Sequence, residues 1–288
     1  MLLKNLPASL VLAPMLLVSG CSRADSLTPP VAQPAPVVAT PASTTAPVVR
    51  KLVWQDEFDK PGLPDTTKWA YDVGGNGWGN NELQYYTARR PENARVEGGN
   101  LIIEARREPW QGSQYTSARL LTQGKTTWQY GRFEARAKLP AGLGTWPAVW
   151  MLGKNIVSAG WPRCGELDIM EHVGYDEGVV HGSIHSEQYN HVKNTQKTAT
   201  VTLTDATTAF HVYAIDWTPD KIEFIVDDRA YFTVYKSALG SSEAAWPFDQ
   251  PFFLILNLAV GGNWGGAKGV DTTIWPRRME VDYVRIYQ

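Results

Sequence analysis

The sequence predicts an all-β protein, a sandwich or jelly roll of two sheets built as one domain from about residue 51 onward. Three observations carry this. Apolar and polar residues alternate with period two along most of the chain. Gly, Pro and Asn punctuate those runs at short intervals. One modest helical stretch, near Thr233 to Ser241, interrupts them. Many short strands with so little helix imply two packed sheets around one core.

The strands follow in order. Leu101–Arg106 and Tyr130–Lys138 alternate cleanly, as does Phe210–Trp217. Ile222–Val226 is followed by a turn at Asp227-Asp228-Arg229, which the next strand must leave. Phe252–Asn257 also reads as a strand. Val281–Tyr287 ends the chain and is expected to pair with an early strand, tying down the C-terminus. The glycine-rich stretch Gly74–Gly79 lacks the Lys-Ser/Thr of a phosphate loop and precedes no helix. It reads as a loop at a cleft edge.

The N-terminal segment has another character. Residues 1–20 carry Lys4, then an apolar stretch, then small residues, which is a secretory signal pattern. Leu17-Val18-Ser19-Gly20-Cys21 resembles the bacterial lipobox, which implies cleavage before Cys21 and its lipidation. Acyl chains at Cys21 would anchor the protein stably to a membrane. Ser22 at the next position favours the outer membrane by the sorting habit of such lipoproteins, so the expected location is the bacterial cell envelope, with secretion the alternative. Residues 21–50, rich in Pro, Ala, Thr and Val, read as a semi-rigid tether.

The chain has 288 residues and a net charge of -2, so no nucleic-acid partner is expected. Its 12 tryptophans all follow residue 50. They suit a large core or a sugar-binding cleft, where indole faces stack on pyranose rings. Cys164 is the remaining cysteine, so no disulfide is expected within the domain, and it reads as buried and inert.

The run Gly165-Glu166-Leu167-Asp168-Ile169-Met170-Glu171-His172 carries the chemistry. Three carboxylates lie among large apolar residues, where acids are costly unless a site uses them. An edge strand whose charges block aggregation is the competing reading. On a regular strand Glu166 and Asp168 share a face and Glu171 takes the other. A β-bulge around Ile169-Met170 would bring Glu171 onto the face of Glu166. Two carboxyls on one wall form an acid and nucleophile pair for breaking glycosidic bonds. His181 and His185 are four apart, but Gly182 and a strand-like setting argue against the helical zinc motif, and its Glu is absent.

Gly165–Glu171 resembles the signature of glycoside hydrolase family 16 in its bulged, laminarinase-type form, Glu-x-Asp-x-x-Glu. The unbulged form is typical of lichenases. Trp54–Phe58, Asn80–Thr87, Gly144–Leu152 and Asn257–Trp264 also resemble family blocks, and the resemblance spans residues 51–288. It implies a concanavalin-like jelly roll of two curved antiparallel sheets with a cleft on the concave face. It implies a retaining reaction in which Glu166 is the nucleophile, Glu171 the acid and then the base, and Asp168 a partner to Glu166. By resemblance His185 faces the cleft near the acid/base, while His181 is as well read as core. Trp146 and Trp150 would flank the cleft and stack on sugars, with core the alternative for Trp150. Asn81, Arg119 and Trp161 are further substrate-binding candidates. No cofactor is implied for the chemistry. A structural Ca2+ would be held by carbonyl oxygens of Glu57 and Gly99 with Asp282, the alternative being that Asp282 caps a strand end. The resulting expectation is a monomeric endo-β-1,3-glucanase acting on laminarin-like glucans. Mixed-linkage glucan, galactan or transglycosylating enzymes and a non-catalytic glucan-binding protein are the competing readings.

Overall fold

The computed structural model describes residues 50–288. The expected signal segment, Cys21 and the expected tether up to residue 49 lie outside the described residues. The strands are β1 (Leu52–Asp56), β2 (Ala70–Tyr71), β3 (Gln84–Tyr86), β4 (Ala94–Glu97), β5 (Asn100–Trp110), β6 (Ser113–Ser117), β7 (Arg119–Leu121), β8 (Gly131–Lys138) and β9 (Thr145–Gly153). The helix α1 (Ile156–Ala159) precedes β10 (Glu166–His172), β11 (Val179–His185), β12 (Lys197–Thr202), β13 (His211–Trp217), β14 (Lys221–Val226) and β15 (Arg229–Tyr235). The helix α2 (Lys236–Leu239), β16 (Phe252–Val260) and β17 (Arg277–Tyr287) complete the chain.

Two sheets form, as the alternation predicts. The larger runs β15-β14-β13-β8-β17-β5-β6-β3, with β1 on β17 and β4 on β5. The smaller runs β12-β11-β10-β9-β16-β7-β2. Pairing is antiparallel throughout except for β3 with β6. The non-consecutive order is that of a jelly roll, matching the expected fold class. The terminal strand is tied as expected: β17 pairs with β1, β5 and β8. Lys51 and Gln288 exchange backbone hydrogen bonds at 2.7 and 2.9 Å.

The main core lies between the sheets. Leu101 and Ile103 of β5, Phe133 and Ala135 of β8 and Tyr213, Ile215 and Trp217 of β13 face Val149 and Met151 of β9, Leu167 of β10 and Leu254, Leu256 and Leu258 of β16. Burying each large apolar side chain contributes roughly 1.5–3 kcal/mol before entropy is counted. β16 is buried along its whole length. Its alternate residues Phe253 and Ile255 join a second apolar cluster with Leu121, Leu152 and Cys164 on the other face of the smaller sheet. Cys164 is fully buried, and that burial pushes its thiol up to about 12, in keeping with an inert cysteine.

The Asp227-Asp228 turn is a two-residue hairpin between β14 and β15, with φ of 47° and 64°. Both values are positive, as the right-handed twist of a tight hairpin favours. The helical expectation near Thr233–Ser241 holds only for Lys236–Leu239. Thr233-Val234-Tyr235 instead finishes β15, because β-branched and aromatic residues there pair with β14 and bury Val234.

Candidate active site

The bulge is present. β10 pairs with β11 as Asp168↔Ser183 and then Glu171↔His181, three residues against two. Against β9 the same extra residue falls between Asp168↔Trp150 and Met170↔Val149. Ile169 and Met170 both turn into the main core beside Leu167. Glu166, Asp168 and Glu171 are thereby left on the opposite face, away from the core between the sheets. The apolar residues around the acids, unusual in sequence, are the core side of a strand whose other side carries the chemistry.

Each glutamate receives one indole donor. Trp161 Nε1 donates to Glu166 Oε2 at 3.0 Å. Trp146 Nε1 donates to Glu171 Oε1 at 3.0 Å. His185, directly opposite Glu166 on β11, has Nε2 3.1 Å from Asp168 Oδ2 and 3.7 Å from Glu166 Oε1. Asp168 is 2% exposed. Burial holds the proton affinities of all three carboxyls well above the ordinary carboxylate range. The charge of Asp168 raises those of Glu166 and Glu171 further, while His185 acts in the opposite direction on both. Glu171 is pushed up to about 8. Three acids so close cannot all ionise, so the cluster retains a proton at neutral pH, as general acid catalysis requires.

The remaining candidates divide into two flanks. On one, Trp161 is partly exposed and packs against His191 and His185 at 5.0 and 6.2 Å between ring centroids. On the other, Trp150 Nε1 donates to Asn257 Oδ1 at 2.7 Å. Arg119 lies over the rings of Trp150 and Trp78 at 4.7 and 5.0 Å and pairs with Asp72 at 2.9 Å. Asn81 is exposed, at a φ of 55°, and its Nδ2 donates to Asn263 at 2.8 Å. His181 sits across from Glu171 with its ring edge on Trp264 at 4.9 Å. Among the described residues, the group with metal-ligand geometry is Glu166, Asp168 and His185, within 4.8 Å of one another, and not the His181–His185 pair.

Sequence reasoning left Glu82, Asn257 and Trp264 without roles. All three lie in the blocks that carried the resemblance, which was the available signal. Glu82 is half-buried and accepts from Gln84, Tyr86 and Asn80. Trp264 closes on the edge of Trp146 at 5.4 Å.

The calcium candidates lie away from this face, along β17. The pairing of β17 with β5 reaches Val281↔Leu101 and that with β1 starts at Val284↔Asp56. Glu57, Gly99 and Asp282 belong to the gap between them, where β17 also slips register against β8. The Glu57 side chain is bound to Arg285 at 2.8 and 2.9 Å, which leaves its carbonyl as the group for a cation. Arg136 holds Asp282 Oδ2 at 2.6 Å, so Oδ1 is the oxygen that remains. This oxygen-only set fits calcium.

Comparison with known proteins places the chain. Residues 81–285 match glycosyl hydrolases family 16. The chain belongs to that family. It is 58% identical over 243 residues to a beta-glucanase of Rhodothermus marinus, spanning 83% of this chain and 85% of that protein. The crystal structure of the laminarinase from Rhodothermus marinus superposes with a TM-score of 0.81 at 57% identity, covering 83% of this chain and 98% of that one. A mutant of SCLam, described as a non-specific endo-β-1,3(4)-glucanase and co-crystallised with 1,3-β-D-cellotriosyl-glucose, gives a TM-score of 0.81 at 50% identity, covering 85% and 96%. This family 16 member is therefore a glycoside hydrolase, and such enzymes need no cofactor for catalysis.

Proposed function

We propose that this family 16 enzyme is a retaining endo-β-1,3-glucanase that cleaves laminarin-like glucans by double displacement. One observation carries the reading: the bulge at Ile169-Met170 sets Glu166 and Glu171 on one face, each with its own indole donor. Glu166 attacks the anomeric carbon, and Glu171 protonates the departing glycosidic oxygen. Glu171 then takes a proton from the water that attacks the glycosyl-enzyme, restoring the starting configuration. The charge of Asp168 favours the protonated form of Glu171 before bond cleavage. Trp161 N–H keeps one lone pair of Glu166 occupied and fixes the carboxylate's orientation. The laminarinase and β-glucanase names of similar proteins support a β-1,3-glucan substrate. Trp146, Trp150, Arg119 and Asn81 would bind sugars on one side of the scissile bond, with Trp161 on the other.

In the same reading, Cys21 carries a lipid anchor and residues 21–50 hold the catalytic domain, residues 51–288, away from an envelope membrane. A Ca2+ held by Glu57, Gly99 and Asp282 would stabilise the larger sheet and take no part in the chemistry. The test is product analysis after incubation with laminarin, mixed-linkage glucan and agarose, beside Glu166→Gln. Oligosaccharides from laminarin, lost in the variant, are the expected result. Release from agarose alone would overturn the substrate, and release by the variant would overturn the nucleophile.

A further inference from the structure

Glu82 is a half-buried acid that the mechanism above does not use. It opens the short segment that runs into β3, and that segment is sewn to the end of β16. Leu83 N donates to Val260 O at 2.9 Å, and Gln84 Oε1 accepts from Val260 N at 2.7 Å. Glu82 itself bridges Gly261. Its carboxyl sits in a basket of donors: Gln84 Nε2 at 2.6 Å and the Tyr86 hydroxyl at 3.1 Å on Oε2, and Asn80 Nδ2 at 3.3 Å on Oε1. Gln84 and Tyr86 are fully buried. The Tyr86 hydroxyl in turn accepts from Asn257 Nδ2 at 3.1 Å, and Asn257 Oδ1 accepts from Trp150. So many donors on one carboxyl fix its place.

That place adjoins the acid/base. A Cβ added to Gly262 would lie 3.3 Å from Glu82 Cγ and 3.3 Å from Trp146 Cζ3. Glu82 and the rim of the Trp146 indole thus pack against the same glycine. A Cβ on Gly265 would come within 2.7 Å of Trp146 Cβ, and Trp264 closes the ring edge-on. The far side of the same indole carries the N–H that donates to Glu171.

We propose that Glu82 is a positioning residue for Glu171, holding the Trp146 indole in place and setting the local field at the acid/base. The role assigned to Glu171 rests on the proposed function; the contact chain does not. The groups facing Glu171 are Glu166 and Asp168 on β10, His185 on β11 and, across the pairing, His181. Glu82, when charged, is a further negative group raising the proton affinity of Glu171; burial raises Glu82's own proton affinity, against which the hydrogen bonds from Gln84 and Asn80 and the charge of Arg119 favour its ionised form. The sign follows: removing the Glu82 charge makes Glu171 surrender its proton at lower pH.

The experiment is a carbon-13 NMR titration of the Glu171 carboxyl in glutamate-labelled protein, assigned with Glu171→Gln, in the wild type and in Glu82→Gln. The expected result is a Glu171 midpoint lowered by about half a pH unit. The alkaline limb of kcat/KM should fall by the same amount, with kcat reduced about tenfold and KM within about twofold. An unshifted midpoint in folded Glu82→Gln overturns the proposal, whatever the rate does. Should that variant not fold, Glu82→Asp, which draws the charge back from the indole, must move the midpoint the same way by less; no movement overturns the proposal. Because the titration needs no turnover, a wild type inactive on laminarin would sink the proposed function and leave this test standing.

Discussion

Glu166 and Glu171 are alike in sequence and in burial, and what separates them is their neighbours. Glu166 shares His185 with Asp168, whereas Glu171 has Trp146 and lies within the field of Glu82. The difference assigns distinct failures. Glu171→Gln should lower kcat on laminarin by about 10³-fold, and on a dinitrophenyl β-laminaribioside, whose leaving group departs without protonation, azide should restore turnover by attacking the glycosyl-enzyme to give a β-glycosyl azide. Glu166→Gln should lose at least as much, and no β-azide should form. Chromatography of the azide products checks this, and a β-azide from the Glu166 variant would reverse the two roles. The three acids were legible in the sequence because their apolar neighbours made them anomalous. The indole donors were not, because side-chain direction depends on the strands opposite, which no local pattern reports.

At the scale of the element, the bulge is the decisive feature of β10. It was legible because side chains on a strand repeat every two residues, and the third acid was one residue out of phase. The same arithmetic gives a prediction. Deleting Ile169 or Met170 restores regular pairing while keeping Glu171 in phase with Asp168. That variant should lose core packing yet retain hydrolysis within about 10²-fold of the wild type. Inserting an alanine between Ile169 and Met170 would put Glu171 four residues after Asp168, on the same face without a bulge but about 7 Å further along the strand, and should abolish activity by parting the two glutamates. Assays of both on laminarin decide it: a folded but inactive deletion variant would refute the role given to strand phase, and an active insertion variant the role given to the spacing of the glutamates. Less of β15 was legible, because a run such as Tyr231–Tyr235 is extended only by virtue of pairing with β14. The short helix Ile156–Ala159 carries no amphipathic pattern and buries none of its residues, so periodicity had nothing to detect.

For the whole molecule, the two faces of β10 pull stability in opposite directions with pH. On the core side, His172 is fully buried, accepts from Gly178 N at 3.3 Å and is held neutral, with its proton affinity lowered to about 4 by burial. Its folded value lies below the unfolded one, so its contribution is complete above pH 6.5 and is lost as pH falls toward 4. The loss is on the order of 3 kcal/mol. On the cleft side, the carboxyl cluster has folded values raised to about 8, so its contribution is complete only below about pH 4 and is lost as pH rises from there toward 8. Between pH 4 and 6.5 the native state keeps carboxyl protons that the unfolded chain has released, and these outnumber the one proton the unfolded chain gains at His172, so thermal unfolding should show stability falling as pH rises toward 8. His172→Gln removes the opposing contribution and should steepen that fall between pH 4 and 6.5 alone; an unchanged slope there would contradict a neutral, buried His172. The jelly roll itself was legible from alternation and punctuation. The order of its strands was not, because β17 meets β1, β5 and β8 across separations that no short-range pattern encodes. Double displacement through Glu166 is tested most directly by trapping the glycosyl-enzyme with a 2-fluoro laminaribiosyl fluoride and locating the label by peptide mass spectrometry. It predicts one adduct, on Glu166; an adduct on Glu171, or inverted product with no adduct, would contradict it.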